Sequence, residues 1–541
     1  MGAPLLISLP HGLNASGVTT WAVRLVNALA RAGRVCGLIV HNEPADQRAL
    51  ALDLDPRVEV VDARALPPLD GCAGDLTGHL PVYRSSVAAL AARAGGPVVC
   101  SPNLLGDSYG IFAELSREMP ELLRVVAVHH ADLAYNDLVC AHYADLVSEF
   151  VGVSERIARR LRDAMPGRAA DVRSIPYGVE VPREIRPREP LAGRPLRLLY
   201  TGRMDNEQKR VAALIEMSDL LLAGGIAHEL ALVGDGPAGA EVDALCANRA
   251  QVRRFPATGA RGIGAALDAA DFFVLASRYE GLSVSMLEAL AHGCVPVVTP
   301  SASGTGQLVR DGLTGFLASA GADADARCAG EAIAAAVRRG ADAGDRRLGE
   351  VRRRGHALVR AEFSAELCAE RYGELIDRAA ASAARPWPAG RAAAFTGAGG
   401  GGSATVPADA PARLAALAAE LAGARVAVYG TGRHTLELRE SFVRAPVEIV
   451  AFVDDDPARC GKSLWGIPIV PPDRVAAAGA TEVVLSSWLH QRALWSRRAR
   501  LEALGVRVHR MYPEEELPSE AAGAPGAEPA PADRRPHSPP A

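Results

Sequence analysis

The feature that most constrains the fold is an alternation, repeated along the chain, of short apolar runs and helix-length segments. The first series opens with the apolar run Leu5–Leu9, the polar turn HGLNASG and a helical pattern over Val18–Ala32 that ends at Gly33. A short apolar run followed by an amphipathic stretch predicts a strand and the helix that covers it. Further strand-like runs are predicted at Gly37–His41, Val58–Val61, Pro97–Ser101, Arg124–His129 and Phe150–Val153. This alternation predicts a parallel, doubly wound sheet with helices on its faces.

A second series of the same kind begins after the proline-rich, charged stretch VEVPREIRPREPLAGRP, which we interpret as a hinge. Its predicted strands are LRLLYTG, HELALVG, a run near Val252–Phe255, ADFFVLA and VPVVT, with helices starting at Val211 and Val284. Beyond it lies a stretch rich in glycine, alanine and proline, a composition typical of a flexible linker. The predicted organisation is a Rossmann-like domain (1–185), a second Rossmann-like domain (186–379), a flexible linker (380–412), a small Rossmann-like α/β domain (413–515) and a disordered tail (516–541).

Composition excludes several function classes. The net charge of −4 gives no bulk field to hold nucleic acid, so we expect no nucleic-acid partner. The nine cysteines form neither a C-x-x-C pair nor a secreted disulfide framework. The start, MGAPLLISLPHG, lacks the basic region of a signal peptide, and no apolar stretch reaches the roughly 18 residues of a membrane span. These features predict a cytoplasmic protein.

The strongest motif is ASRYEGLSVSMLEALAHGCVPVVT, in which Glu280 lies in a strand-end loop and Glu288 in the following helix. Ligands of open α/β sheets bind at such carboxyl ends. The helix N-terminus around Leu282 to Ser285 offers unpaired N–H groups that suit a phosphate. Carboxylates suit the hydroxyl pairs of ribose and other sugars. A surface helix with two solvated glutamates is the alternative interpretation.

The second motif is LLYTGRMDNEQKR, which places Arg203 directly after a strand and Lys209 six residues later. Lys209 is one of only two lysines in the chain, the other being Lys462. Both cations are expected at the same crevice, where they could form charge-assisted hydrogen bonds. A solvated basic loop is the alternative for any such pair taken alone.

Together these segments resemble glycosyltransferase family 4, whose members have the GT-B architecture of two facing Rossmann-like domains. The resemblance covers about residues 1–375 and implies transfer with retention of configuration and no required metal. It also implies that residues 1–185 form the acceptor-side domain and residues 186–379 the nucleotide-sugar donor domain. It implies that Glu280 contacts the transferred sugar, that Glu288 contacts the ribose, and that Arg203 and Lys209 bind the donor diphosphate. The backbone of the five residues that follow Glu280 is then expected near phosphate and sugar oxygens: Gly281, Leu282, Ser283, Val284 and Ser285.

Weaker matches extend the resemblance. The Asn14–Val18 segment resembles the family's glycine-rich loop, with Ser16 in place of the first glycine, so only Gly17 is assigned to the donor phosphate. Relatives carry a histidine near the donor sugar where this chain has two. Adjacent strand residues face opposite ways, so only one of them can reach the crevice, and we prefer His129 to His130.

Three other positions bear on the donor site. Gly234 and Gly236, in LVGDGP, are candidates for approach to the base, although backbone geometry explains such glycines equally well. Gln307 stands where relatives often carry a glutamate, which puts transfer of that role in doubt.

The third domain contains YGTGRHT, followed by FVDDD, which looks like half of a dinucleotide fingerprint with Asp454 placed to meet a ribose. Thr435 occupies the third glycine position. Nucleotide binding and docking of a partner both remain open for this domain. The acidic run Asp454–Asp456 is not interpreted as a metal site, because that motif belongs to a different fold.

The resemblance thus implies a retaining hexosyltransferase with a UDP- or GDP-sugar donor and no cofactor, acting in cell-envelope or surface polysaccharide or glycolipid synthesis. The acceptor is expected to be a glycan, a lipid-linked sugar or a small molecule, with peripheral association at the inner membrane face left open. Two alternatives remain: a nucleotide-sugar epimerase or hydrolase of the same architecture, and a non-catalytic sugar-nucleotide-binding scaffold.

Overall fold

The computed structural model describes most of the chain. The described residues are 2–14, 16–43, 54–69, 75–103, 105–206, 208–257, 260–301, 304–321, 324–395, 409–431, 434–435, 438–455, 460–461, 463–488 and 491–514. The chain forms two compact units, Met1–Phe395 and Thr396–Ala541. Of the sequence predictions, Ala15, Asp456, Lys462, the linker segment 396–408 and the tail 516–541 lie outside the described residues.

The first domain of unit 1 is a parallel sheet of seven strands in the order β3-β2-β1-β4-β5-β6-β7. In β1, Ile7 lies opposite Leu38 on one side and Ser101 on the other. Five strands are buried along their whole length, as expected of a sheet covered on both faces. The strands are β1 (Leu5–Leu9), β2 (Cys36–Val40), β3 (Glu59–Asp62), β4 (Val98–Ser101), β5 (Leu123–His129), β6 (Val147–Gly152) and β7 (Val172–Ser174), and the helices are α1 (Gly17–Arg31), α2 (Leu80–Ala94), α3 (Gly106–Glu118), α4 (Ala134–His142) and α5 (Glu155–Ala164).

The second domain repeats this plan in a six-stranded parallel sheet of order β10-β9-β8-β11-β12-β13. In both sheets the strand order reverses beside the first strand, which is where open α/β sheets bind ligands. The strands are β8 (Leu196–Thr201), β9 (His228–Val233), β10 (Val252–Phe255), β11 (Phe272–Leu275), β12 (Val295–Val298) and β13 (Phe316–Leu317), and the helices are α6 (Val211–Ala223), α7 (Gly239–Cys246), α8 (Ala260–Ala269), α9 (Val284–Ala291), α10 (Thr305–Leu308), α11 (Ala326–Asp342), α12 (Gly344–Glu362) and α13 (Ala365–Ala381).

The last helix of this series, α13, returns to the first domain, where it packs on α1, β4 and β5. Its N-cap Ser364 follows a crossing point at which Val179 N–H donates to Phe363 O and Ala365 N–H donates to Val179 O. The chain therefore crosses between the domains twice at one place, before β8 and again before α13. The sequence prediction placed one boundary between these two domains, after residue 185, and did not include the return of α13 to the first domain.

Residues 383–395, which we call the strap, also pack on the first domain. Trp387 is buried, and its backbone N–H donates to Ser116 Oγ. The Ala393 carbonyl accepts from Tyr143 Oη at 2.7 Å. Glycine and alanine composition predicted a flexible linker from residue 380, but buried aromatic contacts fix this first part of it.

Unit 2 is a smaller α/β domain with the order β16-β17-β15-β14-β18-β19, parallel except for the β16–β17 pair. The fold class predicted from the sequence, two Rossmann-like domains followed by a third, smaller one, is thereby confirmed. Its strands are β14 (Arg425–Tyr429), β15 (Glu448–Val453), β16 (Ser463–Leu464), β17 (Ile467–Val470), β18 (Glu482–Leu485) and β19 (Arg507–Arg510), and its described helices are α14 (Ala410–Glu420), α15 (Arg439–Arg444), α16 (Gln491–Ser496) and α17 (Arg498–Glu502).

The helices in the described part of the chain include none with the length and hydrophobicity of a membrane span.

Candidate active site

The two domains of unit 1 meet through the loops at the carboxyl ends of their strands, and we call this zone the cleft. The N-termini of α1 and α9 face each other there: a Cβ placed on Gly17 would lie 3.3 Å from Val284 Cγ2. Ser16 and Ser283 cap the two helices by accepting from the N–H groups of Thr19 and Met286. The first N–H groups of both helices therefore present partial positive charge to the cleft, which suits an anionic ligand.

Lys209 and Glu280 form an ion pair at the cleft, with Nζ 2.6 Å from Oε1. Ser277 Oγ donates to the same carboxylate oxygen at 2.6 Å. Both side chains are largely buried, with 16% and 8% of their surfaces exposed. The sequence motifs at residues 203–209 and 280–288 therefore meet in space.

Arg203 lies in the loop that leads from β8 to Lys209 and is more accessible, with 40% of its side chain exposed. Its Nη2 is 2.5 Å from Asp205 Oδ2, and Asp205 Oδ1 accepts from the Gln208 N–H at 2.7 Å. The loop is tied to the Glu280 loop because Arg278 N–H donates to Gln208 O. Glu207, the acidic member of the motif, lies outside the described residues.

The backbones of the two domains touch at Gly281. A Cβ at this position would lie 1.9 Å from the carbonyl oxygen of His130, so only glycine allows the contact. The Gly281 carbonyl in turn accepts from Gly304 N–H at 3.1 Å, which leads to α10 and Gln307. Within the described residues, the buried Oε1 of Gln307 has no hydrogen-bond partner.

The two adjacent histidines have different surroundings, as strand alternation predicts. His129 Nε2 lies 2.8 Å from Asp137 Oδ1, and Asp137 also pairs with Arg160. No hydrogen-bond partner of the buried His129 Nδ1 is found in the described part of the chain.

His130 is held by the phenol of Tyr177 and the amide oxygen of Asn103, at 2.7 and 2.8 Å. Its ring packs edge-on against Trp21. Burial, with a smaller contribution from His129, lowers the pKa of His130 from 6.5 to about 3. His130 is therefore a neutral histidine with both ring nitrogens occupied, and His129 keeps the open nitrogen.

Glu288 pairs across the cleft with Arg24 of α1, Nη2 to Oε1 at 2.5 Å. The sequence analysis did not single out Arg24. The available signal was its spacing: Arg24 follows Gly17 by seven residues, or about two helical turns, on the same face of α1.

Gly234 and Gly236 support the neighbouring loop through close backbone contacts. A Cβ on Gly234 would meet Gly202 O at 1.9 Å, and one on Gly236 would meet Met204 O at 2.6 Å. Backbone packing thus accounts for both glycines, and contact of Gly234 with a base stays a prediction.

In unit 2, the side chains at the carboxyl ends of the strands bind one another. Asp454 Oδ2 accepts from the N–H and the hydroxyl of Thr431. Thr435 Oγ1, at the third glycine position, donates to Gly430 O at 2.6 Å. The carboxylate expected to meet a ribose is thus engaged by the glycine loop itself.

The cleft combines two chemical capacities: cations and helix N-termini that suit phosphates, and carboxylates that suit hydroxyl pairs. Among the described residues, no group of three or more His, Cys, Asp or Glu side chains is arranged to hold a metal ion.

Residues 195–339 match the family model described as glycosyl transferases group 1. No curated protein matches the sequence. Sucrose-phosphate synthase from Thermosynechococcus elongatus is similar in structure over 69% of this chain and 98% of its own, with 18% identity and a TM-score of 0.54.

Two further solved structures are similar over almost their full length. The pneumococcal O-GlcNAc transferase GtfA, in complex with UDP and GlcNAc, matches 70% of this chain and 100% of its own at 13% identity and a TM-score of 0.53. HepE from Anabaena, in complex with UDP and glucose, matches 69% and 98% at 15% identity and a TM-score of 0.50. At such identities the likeness shows the fold: unit 1 has the GT-B architecture.

Proposed function

We propose that this protein is a retaining glycosyltransferase that moves a hexosyl-type sugar from a nucleotide-sugar donor to an acceptor hydroxyl. The observation that carries the proposal is the meeting of Lys209 with Glu280 beside the N-terminus of α9, in the segment that matches the glycosyl transferases group 1 model. A bound sugar diphosphate needs a cation for its phosphates and, next to it, a carboxylate for the sugar hydroxyls. In a solvated surface loop the two charged side chains would be exposed, whereas here they are largely buried.

In this proposal Arg203, Lys209 and the two helix N-termini bind the donor diphosphate and stabilise the charge that grows on it as the glycosidic bond breaks. Glu280 and His129 contact the transferred sugar, and Glu288 binds the ribose hydroxyls. The acceptor hydroxyl attacks from the face that the diphosphate leaves, and a phosphate oxygen accepts its proton, which retains the anomeric configuration. Closure of the domains aligns donor and acceptor.

The donor class is proposed as a UDP-sugar first and a GDP-sugar second, because GtfA and HepE were solved with UDP. The acceptor is proposed as a glycan, a lipid-linked sugar or a small molecule, in polysaccharide or glycolipid synthesis. We also propose that transfer needs no metal or other cofactor and takes place in the cytoplasm, with peripheral contact at the inner membrane face. If transfer needs no metal, the turnover rate should be the same with and without a chelator.

The first test is the thermal midpoint of the wild type and of Glu288→Ala with UDP-, GDP- and ADP-sugars. A ligand at about 100 times its Kd adds roughly 2.7 kcal/mol to the free energy of unfolding. We expect one nucleotide class to raise the midpoint of the wild type and to raise that of the variant much less. Stabilisation of neither protein by any donor contradicts the donor site.

A product assay separates transfer from the alternatives. Transfer requires an acceptor and yields a glycoside whose anomeric signal in NMR keeps the donor configuration. An epimerase or hydrolase consumes the donor without an acceptor, and a scaffold binds the donor without consuming it.

A further inference from the structure

Arg24 lies on the face of α1 that borders the cleft. Gly17, Trp21 and Arg24 follow one another at helical spacings of four and three residues, which places them on one face. Gly17 is within reach of Val284, Trp21 packs on His130 at 4.8 Å between ring centroids, and Arg24 reaches Glu288. The first domain thus brings a cation to the carboxylate of the second.

The Arg24–Glu288 ion pair involves one of the two Nη atoms of the guanidinium and one of the two oxygens of the carboxylate. Nη2 is bonded to Oε1, and both side chains are mostly buried, with 17% and 14% of their surfaces exposed. Nη1 of Arg24 is also buried, yet it has no hydrogen-bond partner among the described residues. Within the same part of the chain, Oε2 of Glu288 accepts no hydrogen bond. A buried guanidinium N–H without a partner is costly, which indicates that a ligand atom satisfies it.

Helix geometry indicates which part of a donor could reach these free atoms. Glu288 lies four residues beyond the start of α9, or about 6 Å along the axis, and Arg24 lies seven residues beyond the start of α1, or about 10 Å. A diphosphate at the two N-termini therefore leaves the Arg24–Glu288 pair at the distance of the attached nucleoside. Phosphate binding belongs to Arg203, Lys209 and the N-termini.

We propose that Arg24 completes the ribose subsite from the first domain. This proposal rests on the proposed function. Glu288 Oε2 accepts from one ribose hydroxyl while Arg24 Nη1 donates to a ribose oxygen, and the Nη2–Oε1 bond holds both groups in place. Because the two residues come from different domains, the subsite is complete only when the cleft is closed, so binding of the nucleoside favours closure.

The test is calorimetric titration with the nucleoside diphosphate that stabilises the wild type and with its 2′-deoxy and 3′-deoxy analogues. The variants are Arg24→Ala, Arg24→Lys and Glu288→Gln, and the matched control is Arg31→Ala, an exposed arginine at the end of the same helix. We expect Arg24→Ala to weaken binding of the ribonucleotide about 10- to 100-fold, as for a hydrogen bond to a charged group. The variant should weaken binding of one deoxy analogue much less, so that the preference for ribose collapses. The Arg24→Lys variant should keep part of the preference for the ribonucleotide over the deoxy analogue, and Arg31→Ala should leave this preference unchanged.

Two outcomes overturn the inference separately from the proposed function. If the wild type binds the nucleotide and Arg24→Ala keeps the full preference for ribose, Arg24 is not part of the subsite. If Arg24→Ala weakens ribo- and deoxynucleotides equally, the pair only holds the domains together. If no nucleoside diphosphate binds the wild type, the proposed function fails and the inference fails with it. The midpoint of each variant without ligand confirms that it is folded, and Arg24→Lys serves where the alanine variant is not.

Discussion

At the scale of single residues, Lys209 places a full positive charge beside Glu280 in a largely buried position. Lys209→Ala should lower kcat about 100- to 1000-fold, because a preorganised cation acts mainly on the charge of the transition state. KM for the donor should change less, since Arg203 and the helix N-termini remain. Steady-state kinetics with both substrates varied checks this split.

The matched control for Lys209→Ala is Arg327→Ala, which removes a cation that is 78% exposed on α11. It should leave kcat and KM unchanged. A Lys209→Ala enzyme with wild-type kcat would remove Lys209 from the mechanism.

Buried neutral histidines should make unit 1 sensitive to acid. Burial is the main cause that lowers the pKa of His130 to about 3 and, with His79 and His11, the pKa of His41 to about 4. Each folded-state pKa is below the unfolded value of about 6.5, so the unfolded chain binds more protons. The stabilisation is complete above pH 6.5 and is lost as the pH falls from 6.5 towards 4 and 3, by at most about 1.4 kcal/mol per pH unit for each histidine.

Thermal midpoints from pH 7 to pH 4 measure this effect. His130→Gln should be less stable than the wild type at pH 7 but should lose less stability on acidification. A wild-type slope in both His130→Gln and His41→Gln would contradict the assignment.

The sequence could predict the motif residues because their spacing is local. Arg203 and Lys209 follow β8, and Glu280 and Glu288 follow β11, and the structure brings Lys209 to Glu280. The roles of all four stay predictions. Arg24 was missed because its spacing from Gly17 is a weak signal: one arginine in an amphipathic helix looks like any solvated charge until its partner, 264 positions away, is known.

At the scale of elements, strand alternation was predictable and the contacts between domains were not. The predicted run Leu5–Leu9 coincides with β1, and the predicted helix from Val284 coincides with the start of α9. The backbone contact of Gly281 with His130 depends on how two sheets face each other, which no periodicity records. The two histidines show the same limit: alternation predicts that they face opposite ways but does not tell which one the cleft uses.

Gly281→Ala tests the contact between these loops. A Cβ would lie 1.9 Å from a backbone oxygen of the other domain, so the domains must move apart while each keeps its own fold. Displacement of catalytic groups by about 1 Å can cost about 100-fold in rate, and we expect a loss of kcat/KM of that size. Small-angle scattering should show a larger radius of gyration.

Gly306→Ala is the control for this experiment, because a Cβ there meets no atom within 4 Å. It should keep the wild-type rate and dimensions. Equal behaviour of the two variants would show that closure does not depend on the Gly281 contact.

At the scale of the whole molecule, the difference between prediction and structure lies in the strap. Composition averages over a window, so the alanines, prolines and glycines after residue 380 outweigh one tryptophan. Trp387 nevertheless lies within 5.2 Å of Tyr143 between ring centroids, and Arg391 stacks on its indole at 4.2 Å. Arg117 also donates to the carbonyl oxygen of Pro388. The strap therefore belongs to the core of unit 1.

Two truncated chains measure what the strap contributes. A chain that ends at Phe395 keeps every contact of unit 1, so it should unfold at the midpoint of unit 1 in the full protein and should bind the nucleotide with the same affinity. A chain that ends at Ser382 exposes the surface that Trp387 covers, and it should lose about 3–5 kcal/mol, as for removal of a buried aromatic side chain. Urea unfolding of both chains gives the two free energies. Equal values would mean that the strap only lies on the surface, whereas the expected difference means that residues 383–395 are part of the folded core of unit 1.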